Sequence, residues 1–436
     1  MRPSRASIRK AQSPIPTPRR LDTPSRSRLR RRPAANGTAL ALFVVAAATM
    51  HAEEPVAVVS SAANDQLLYF TSTSLLADDD RLVFLSDRSG QPNVFVRDLR
   101  TGEDRQLTFN TEGFLKSYVY FDGLPYRGLG RASISVDPRR GLVYFIEGTR
   151  LCVVDAATGA RRVLAELPSG QMTAFTHVSA DGSRLCVPTT DARALDDEKP
   201  LKGRPDYDID ARVQAEGLSS YLRVFDTATG REIASERVPK AWITHVQFSP
   251  RDSRLILYNH EWPSDCGIRR MWLWNGERHL RLRTEGDGRS RADWTCHEMW
   301  ERDGSAVIYH GTYDKGSSYV GRVLPDGSGT IEISLPKEWN RYGHFTVGRP
   351  GWLVTDGSYV RDGDPRRSGG DWISAVFVDW AARRYDWRPL CRHGSSWTSQ
   401  DAHPHPVFDH AGGAAYFTSD AGGRRAIYRV TVPDRP

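Results

Sequence analysis

The 436-residue chain contains only five cysteines, Cys152, Cys186, Cys266, Cys296 and Cys391, widely spaced and with no CxxC pair. That spacing excludes the usual zinc-cysteine site and a disulfide scaffold. An exported fate would permit one or two bridges, but the odd count leaves at least one thiol unpaired. No window holds a sustained 3.6-residue apolar period, which argues against a helical solenoid. A G-x-S-x-G nucleophile elbow and a glycine-rich phosphate loop are both missing, and no α/β stretch is left over to form a second catalytic domain. The apolar run at residues 38–48 is too short to span a bilayer.

Positive charge is scarce where it would matter. Residues 1–32 carry eleven Lys and Arg against Asp22, a net +10, while the whole chain carries +7, which leaves the remainder at −3. The basic pI therefore belongs to the leader, and a nucleic-acid partner, which needs a basic face on the folded domain, is not expected. Basic residues, then the apolar run, then small residues up to Ala52 before Glu53-Glu54-Pro55 read as an export signal. The expected organisation is a leader at 1–52 and one domain at 53–436, periplasmic or secreted and free of the membrane once cleaved. Arg30-Arg31-Arg32 permits a twin-arginine route.

What the chain does have is repetition. Alternating apolar strands ending in turns recur at Val94-Phe95-Val96-Arg97-Asp98, Cys152-Val153-Val154-Asp155 and Arg223-Val224-Phe225-Asp226, each followed by a Thr-Gly turn. Looser copies lie near Asn275, Asp326, Asp379 and Val430. Successive spacings are 57, 71, 49, 51, 53 and 51 residues. Seven all-strand units of roughly fifty residues predict an all-β fold, a seven-bladed β-propeller. The 71-residue interval predicts an insertion at about 189–220, either overhanging one face of the propeller or forming a disordered excursion.

Histidines mark the opening of the later blades: His177, His245, His297, His344, and the pair His403 and His405 in Gln400-Asp401-Ala402-His403-Pro404-His405-Pro406. Six of twelve histidines thus fall at one structural position, where innermost strands border the channel. A ring of imidazoles at a propeller mouth reads as a metal or acid-base site, and an amide oxygen beside them leans toward the harder metals. In an extended segment residues 403 and 405 face the same side. His279, His310, His393 and His410 fall off this position and read as surface or core. Glu298, following a ligand candidate on a strand, is expected to point away from it.

Cys296-His297-Glu298-Met299-Trp300, Gln400-x-x-His403-Pro-His405-Pro and Asn259-His260-Glu261-Trp262-Pro263 with Arg270-Met271-Trp272 together resemble the oligogalacturonate lyases, polysaccharide lyases on a seven-bladed propeller. The turns at 86–90 and 98–102 also resemble the broader TolB-like propellers, and a non-catalytic binding module is the alternative reading. The lyase resemblance implies a divalent ion, Mn2+ in the family, held by His297, Gln400, His403 and His405, with His260 as the base. It also implies an arginine near the base, for which Arg269, Arg270 and Arg212 are candidates, Arg270 foremost. His245, His344, Arg269 and Trp262 are the expected substrate contacts, Trp262 standing where the family has a glycine. The implied partner is an acidic oligosaccharide. The implied reaction is β-elimination: the proton at C5 is acidic because its carbon bears a carboxylate, a cation on that carboxylate stabilises the developing charge, and a neutral histidine takes the proton.

Overall fold

The computed structural model describes residues 53–117, 121, 123–195, 205–261, 270–283, 294–313, 318–335, 343–357 and 370–434. The expected leader, Trp262 and Arg269 lie outside them. Seven antiparallel sheets follow one another along the chain, the seven blades of the propeller. Blade one runs from Asp65–Leu67 to Asp104–Gln106, and blade two from Ser135–Asp137 to Arg161–Glu166. Blade three ends at Glu232–Pro239, its innermost strand broken into Gln171–Thr173 and His177–Val178. Blades four, five and six begin at Val246–Phe248, Trp294–Trp300 and Phe345–Val347.

Blade seven takes three strands from the C-terminal end, Val407–Phe408, Ala414–Ser419 and Ala426–Thr431, and its outermost strand, Val56–Val59, from the start of the domain. Pairing of Val56 with Arg429 and Val59 with Ile427 closes the ring. Closure protects a sheet edge that would otherwise be open. Nothing in the periodicity marks Val56–Val59, because one four-residue strand carries no repeat of its own.

The core lies between blades. Each neighbouring pair shares its own apolar cluster, such as Val83, Val94 and Val96 of blade one against Val143, Phe145 and Val154 of blade two, or Ile308 and Val320 of blade five against Phe345, Leu353 and Val376 of blade six. Burying each such side chain contributes about 1.5–3 kcal/mol. The anchor turns form as their sequence dictates. Asp98 Oδ1 accepts from the backbone of Arg100 and Thr101, and Gly102 adopts φ 76°. At Gly230, φ 75°, a Cβ would also clash with the carbonyl oxygen of Leu164.

The insertion is shorter than expected and carries a helix. Thr189 and Thr190 are still in a strand, paired with Tyr221 and Ser220, and between the strands lie a 3-10 turn, Ala192–Leu195, and a helix, Pro205–Glu216. Proline at the first helical position loses no hydrogen bond. Among the described side chains of the helix, Ile209 and Val213, one turn apart, bury into the cluster with Phe175, Met172 and Trp242. The Arg212 guanidinium donates to the carbonyls of Arg193 and Ala194, so this arginine pins the insertion.

Candidate metal and catalytic site

Blade openings from four to seven converge at one mouth of the channel. Ligand atoms of His344, His403 and His405 lie within 4.8 Å of one another, all three residues buried. Hydrogen bonding explains how they are aimed. His344 Nδ1 is 2.9 Å from a carboxylate oxygen of Asp356, which only accepts, so the ring proton sits on Nδ1 and Nε2 holds a lone pair. Asp356 also accepts from the backbone N–H of His344 and of His405, fixing both residues from behind. His405 Nε2 stands 3.2 Å from His344 Nε2.

Burial, first, and the neighbouring rings push His344 and His405 well below the usual histidine pKa, and burial and His344 push His403 down to about 3. Neutral imidazoles are what a metal requires. The 3-10 turn Gln400–Ala402 places Gln400 beside them, and Gln400 Oε1 and His403 Nδ1 are buried without a hydrogen bond. Buried polar atoms left unpaired are rare enough to need a reason. Three imidazole nitrogens and an amide oxygen suit a divalent ion of the harder type, and these residues fit one. Arg131 ties down the same turn through Asp401, at 2.5 Å from its carboxylate.

Next to this group, His297 sits in a bulge of the innermost strand of blade five. The register shifts between Cys296 and Met299, and His297 takes φ 52°, the left-handed region. Such strain in a non-glycine residue collects at functional sites, and His405, φ 46°, shares it. Ring centroids of His297 and His344 are 4.5 Å apart. His297 Nδ1 lies 2.8 Å from Gly343 O; a carbonyl only accepts, so the lone pair is on Nε2. Burial, then His344 and His310, lowers its pKa.

The bulge also breaks strand alternation, so Glu298 turns into the channel beside His297 instead of away from it. Arg270 Nε donates to Glu298 at 2.7 Å, its Nη1 faces Glu261 at 3.2 Å, and its Nη2 donates to His245 Nδ1 at 3.1 Å. Burial opposes the guanidinium charge, yet Cys296, Glu261 and Glu298 raise its pKa above the ordinary value. Burial would raise the Glu298 carboxyl, and Arg270 instead holds it at about 2. His245 Nδ1 thus faces both the donating Arg270 and, at 3.6 Å, Glu298 Oε1, while its Nε2 is buried and without a partner. Tyr69, Phe70 and Phe175 wall this space.

The sequence profile described as oligogalacturonate lyase matches residues 65–435. The chain belongs to the oligogalacturonate lyase family. It is 26% identical over 380 residues to an oligogalacturonide lyase of Pectobacterium atrosepticum, covering 84% of this chain and 90% of that one. It is 25% identical over 388 residues to an oligogalacturonate lyase of Dickeya dadantii, with the same coverage. Among solved structures it is similar to an oligogalacturonate lyase in complex with manganese, at TM-score 0.68 and 21% identity, over 85% of this chain and 91% of that one. A second, from Vibrio parahaemolyticus, matches at TM-score 0.69 and 21% identity, over 87% and 93%. Both carry the propeller. Membership of a polysaccharide lyase family displaces the reading as a binding module without chemistry.

Within this lyase framework the expected residues fall into different places. Gln400, His403 and His405 come together as foreseen, but their third histidine is His344, expected as a substrate contact. His297, expected as a ligand, has its Nδ1 turned to Gly343 and His310. His260 stands apart from the group: on the second strand of blade four, Asn259 and Glu261 face the centre, and the intervening His260 packs on Tyr258 and Trp272. His177 leaves the ring as well. Its Nδ1 accepts from Phe248 N–H, and it borders a separate cavity of about 460 Å³. Phe70 lines that cavity and contacts the rings of His297, His344 and His405, so it stands between the two. Trp300 and Trp397 are buried, their Nε1 groups donating to Gln247 O and Gly370 O. Asp356 and His310 were not foreseen. His310 lies on the second strand of blade five and Asp356 directly after that of blade six, where no motif marks them.

Proposed function

We propose that this protein cleaves oligogalacturonate, or a related 4-linked uronide, by metal-assisted β-elimination. The observation that carries the reading is the group of His344, His403 and His405 with the unpaired Gln400 oxygen, set against His297 and the Arg270 network. Those four residues would hold a divalent ion, manganese by analogy with the manganese complex of the similar lyase, and when bound it would supply Lewis-acid stabilisation to the uronate carboxylate. His297 takes the C5 proton on Nε2, its Nδ1 proton held by Gly343 O so that only one nitrogen is basic. Arg270, charged at every working pH, faces the negative charge that builds beside it. His245 presents its unpaired Nε2 to the substrate. The base is thus His297 and not His260, whose ring lies on the far face of its strand.

Manganese binding tests the ligand assignment. Equilibrium dialysis of the chelator-stripped protein should give one ion per chain, and the double variant His403→Ala/His405→Ala should lose it with its β-sheet circular dichroism unchanged. Retention of the ion by that variant would refute the site. We propose further that residues 1–52 direct export to the periplasm or beyond, on the strength of the +10 leader and the apolar run. N-terminal sequencing from the native cell should begin near residue 53, and a cytoplasmic protein keeping its leader would refute it.

A further inference from the structure

The bulge at His297 brings together a second group of donors, of which the reading above uses only His297 itself. Cys296 lies opposite His310 in the register of the first two strands of blade five, a spacing at which cross-strand side chains touch. The left-handed φ of His297 then swings the next side chain onto the same side, so that Sγ of Cys296 and ring nitrogens of His297 and His310 all lie within 4.8 Å of one another, fully buried. His297 Nδ1 and His310 Nε2 approach to 2.7 Å. We propose that Cys296, His297 and His310 form a second metal site, selective for a soft or borderline divalent ion such as zinc, beside the harder site of His344, His403, His405 and Gln400.

The thiolate distinguishes the two. Thiolate with two imidazoles is a set that zinc and cobalt take in tetrahedral geometry, while three imidazoles with an amide oxygen accept manganese as well as zinc or cobalt and offer no sulfur. On binding, the Cys296 thiol proton leaves to solvent, the sulfur-metal bond forms, and the ring proton of His297 moves from Nδ1 to Nε2. That last shift removes the lone pair assigned to the base. Zinc therefore inhibits; this consequence, unlike the site itself, rests on the proposed role of His297. Among the described residues, no other cysteine shares such a group: Cys152, Cys186 and Cys391 are buried without clustered histidines.

Cobalt(II) reports directly, because a cobalt-thiolate bond gives an intense near-ultraviolet charge-transfer band. The stripped full-length protein titrated with cobalt should develop this band to a plateau, and zinc should displace it. Cys296→Ser should abolish the band, and His403→Ala/His405→Ala should keep it. A wild-type protein that binds cobalt without the band, or a band that survives Cys296→Ser, would overturn the proposal. The band is independent of turnover, so loss of the lyase reading would leave this test standing.

Discussion

His297 and His260 occupy neighbouring blades and look alike as sequence, each followed by glutamate, yet they face opposite surroundings. At His297 the bulge turns both the histidine and Glu298 to the centre, and a carbonyl fixes the tautomer. At His260 regular alternation sends the ring outward against Trp272 while Glu261 goes inward to Thr244, Asn259 and Arg270. The expected outcome is that His297→Ala lowers kcat by a factor of about 10² or more, the range for a positioned general base, with manganese binding retained. His260→Ala should stay within a few-fold of wild type. Steady-state kinetics on both variants decide the matter, and the reverse ordering would restore His260 as the base.

At the scale of elements, the blade pattern was legible because the third strands of blades one, two, three and six end at Asp98, Asp155, Asp226 and Asp379, whose turn chemistry is local. The helix at Pro205–Glu216 and the closing strand Val56–Val59 were not, since both are specified by tertiary contacts and not by a period. Blade openings were also legible, but which way each histidine faces depends on bulges and left-handed residues that the sequence does not announce. That is why Gln400, His403 and His405 could be placed together from the sequence, while the position of His344 beside them and the departure of His177 from the ring could not.

His177 gives this scale its own prediction. Burial lowers its pKa to about 4, and Nδ1 already accepts from Phe248 N–H, leaving no room there for a second proton. Its folded pKa lies below the ordinary value near 6.5. Above that value folded and unfolded chains both hold it neutral. As pH falls from about 6.5 toward 4 the unfolded chain binds a proton that the fold refuses, and stability is lost across that window. His177→Gln, which keeps an acceptor, should lose less stability than wild type between neutral pH and about 4.5, measured as urea midpoints along the pH series. Parallel curves for the two proteins would contradict this.

For the whole molecule, the propeller supplies what the site needs: several chain segments, far apart in sequence, ending at one mouth. Contacts such as Arg131 to Asp401, 270 residues apart, exist only because the ring closes. Beyond residue 52 the chain is net −3, so net charge gives a polyanion no long-range attraction, and on the proposed reading recognition falls to the metal group and Arg270 at close range. The central claim is that this arrangement performs β-elimination on a uronide. Its most direct measurement is to incubate the purified, manganese-loaded protein with oligogalacturonate and follow the ultraviolet absorbance of a 4,5-unsaturated product. The account predicts a rise that requires the metal and is absent from His403→Ala/His405→Ala. Chain cleavage without the unsaturated product, or no cleavage by a fully loaded protein, would contradict it.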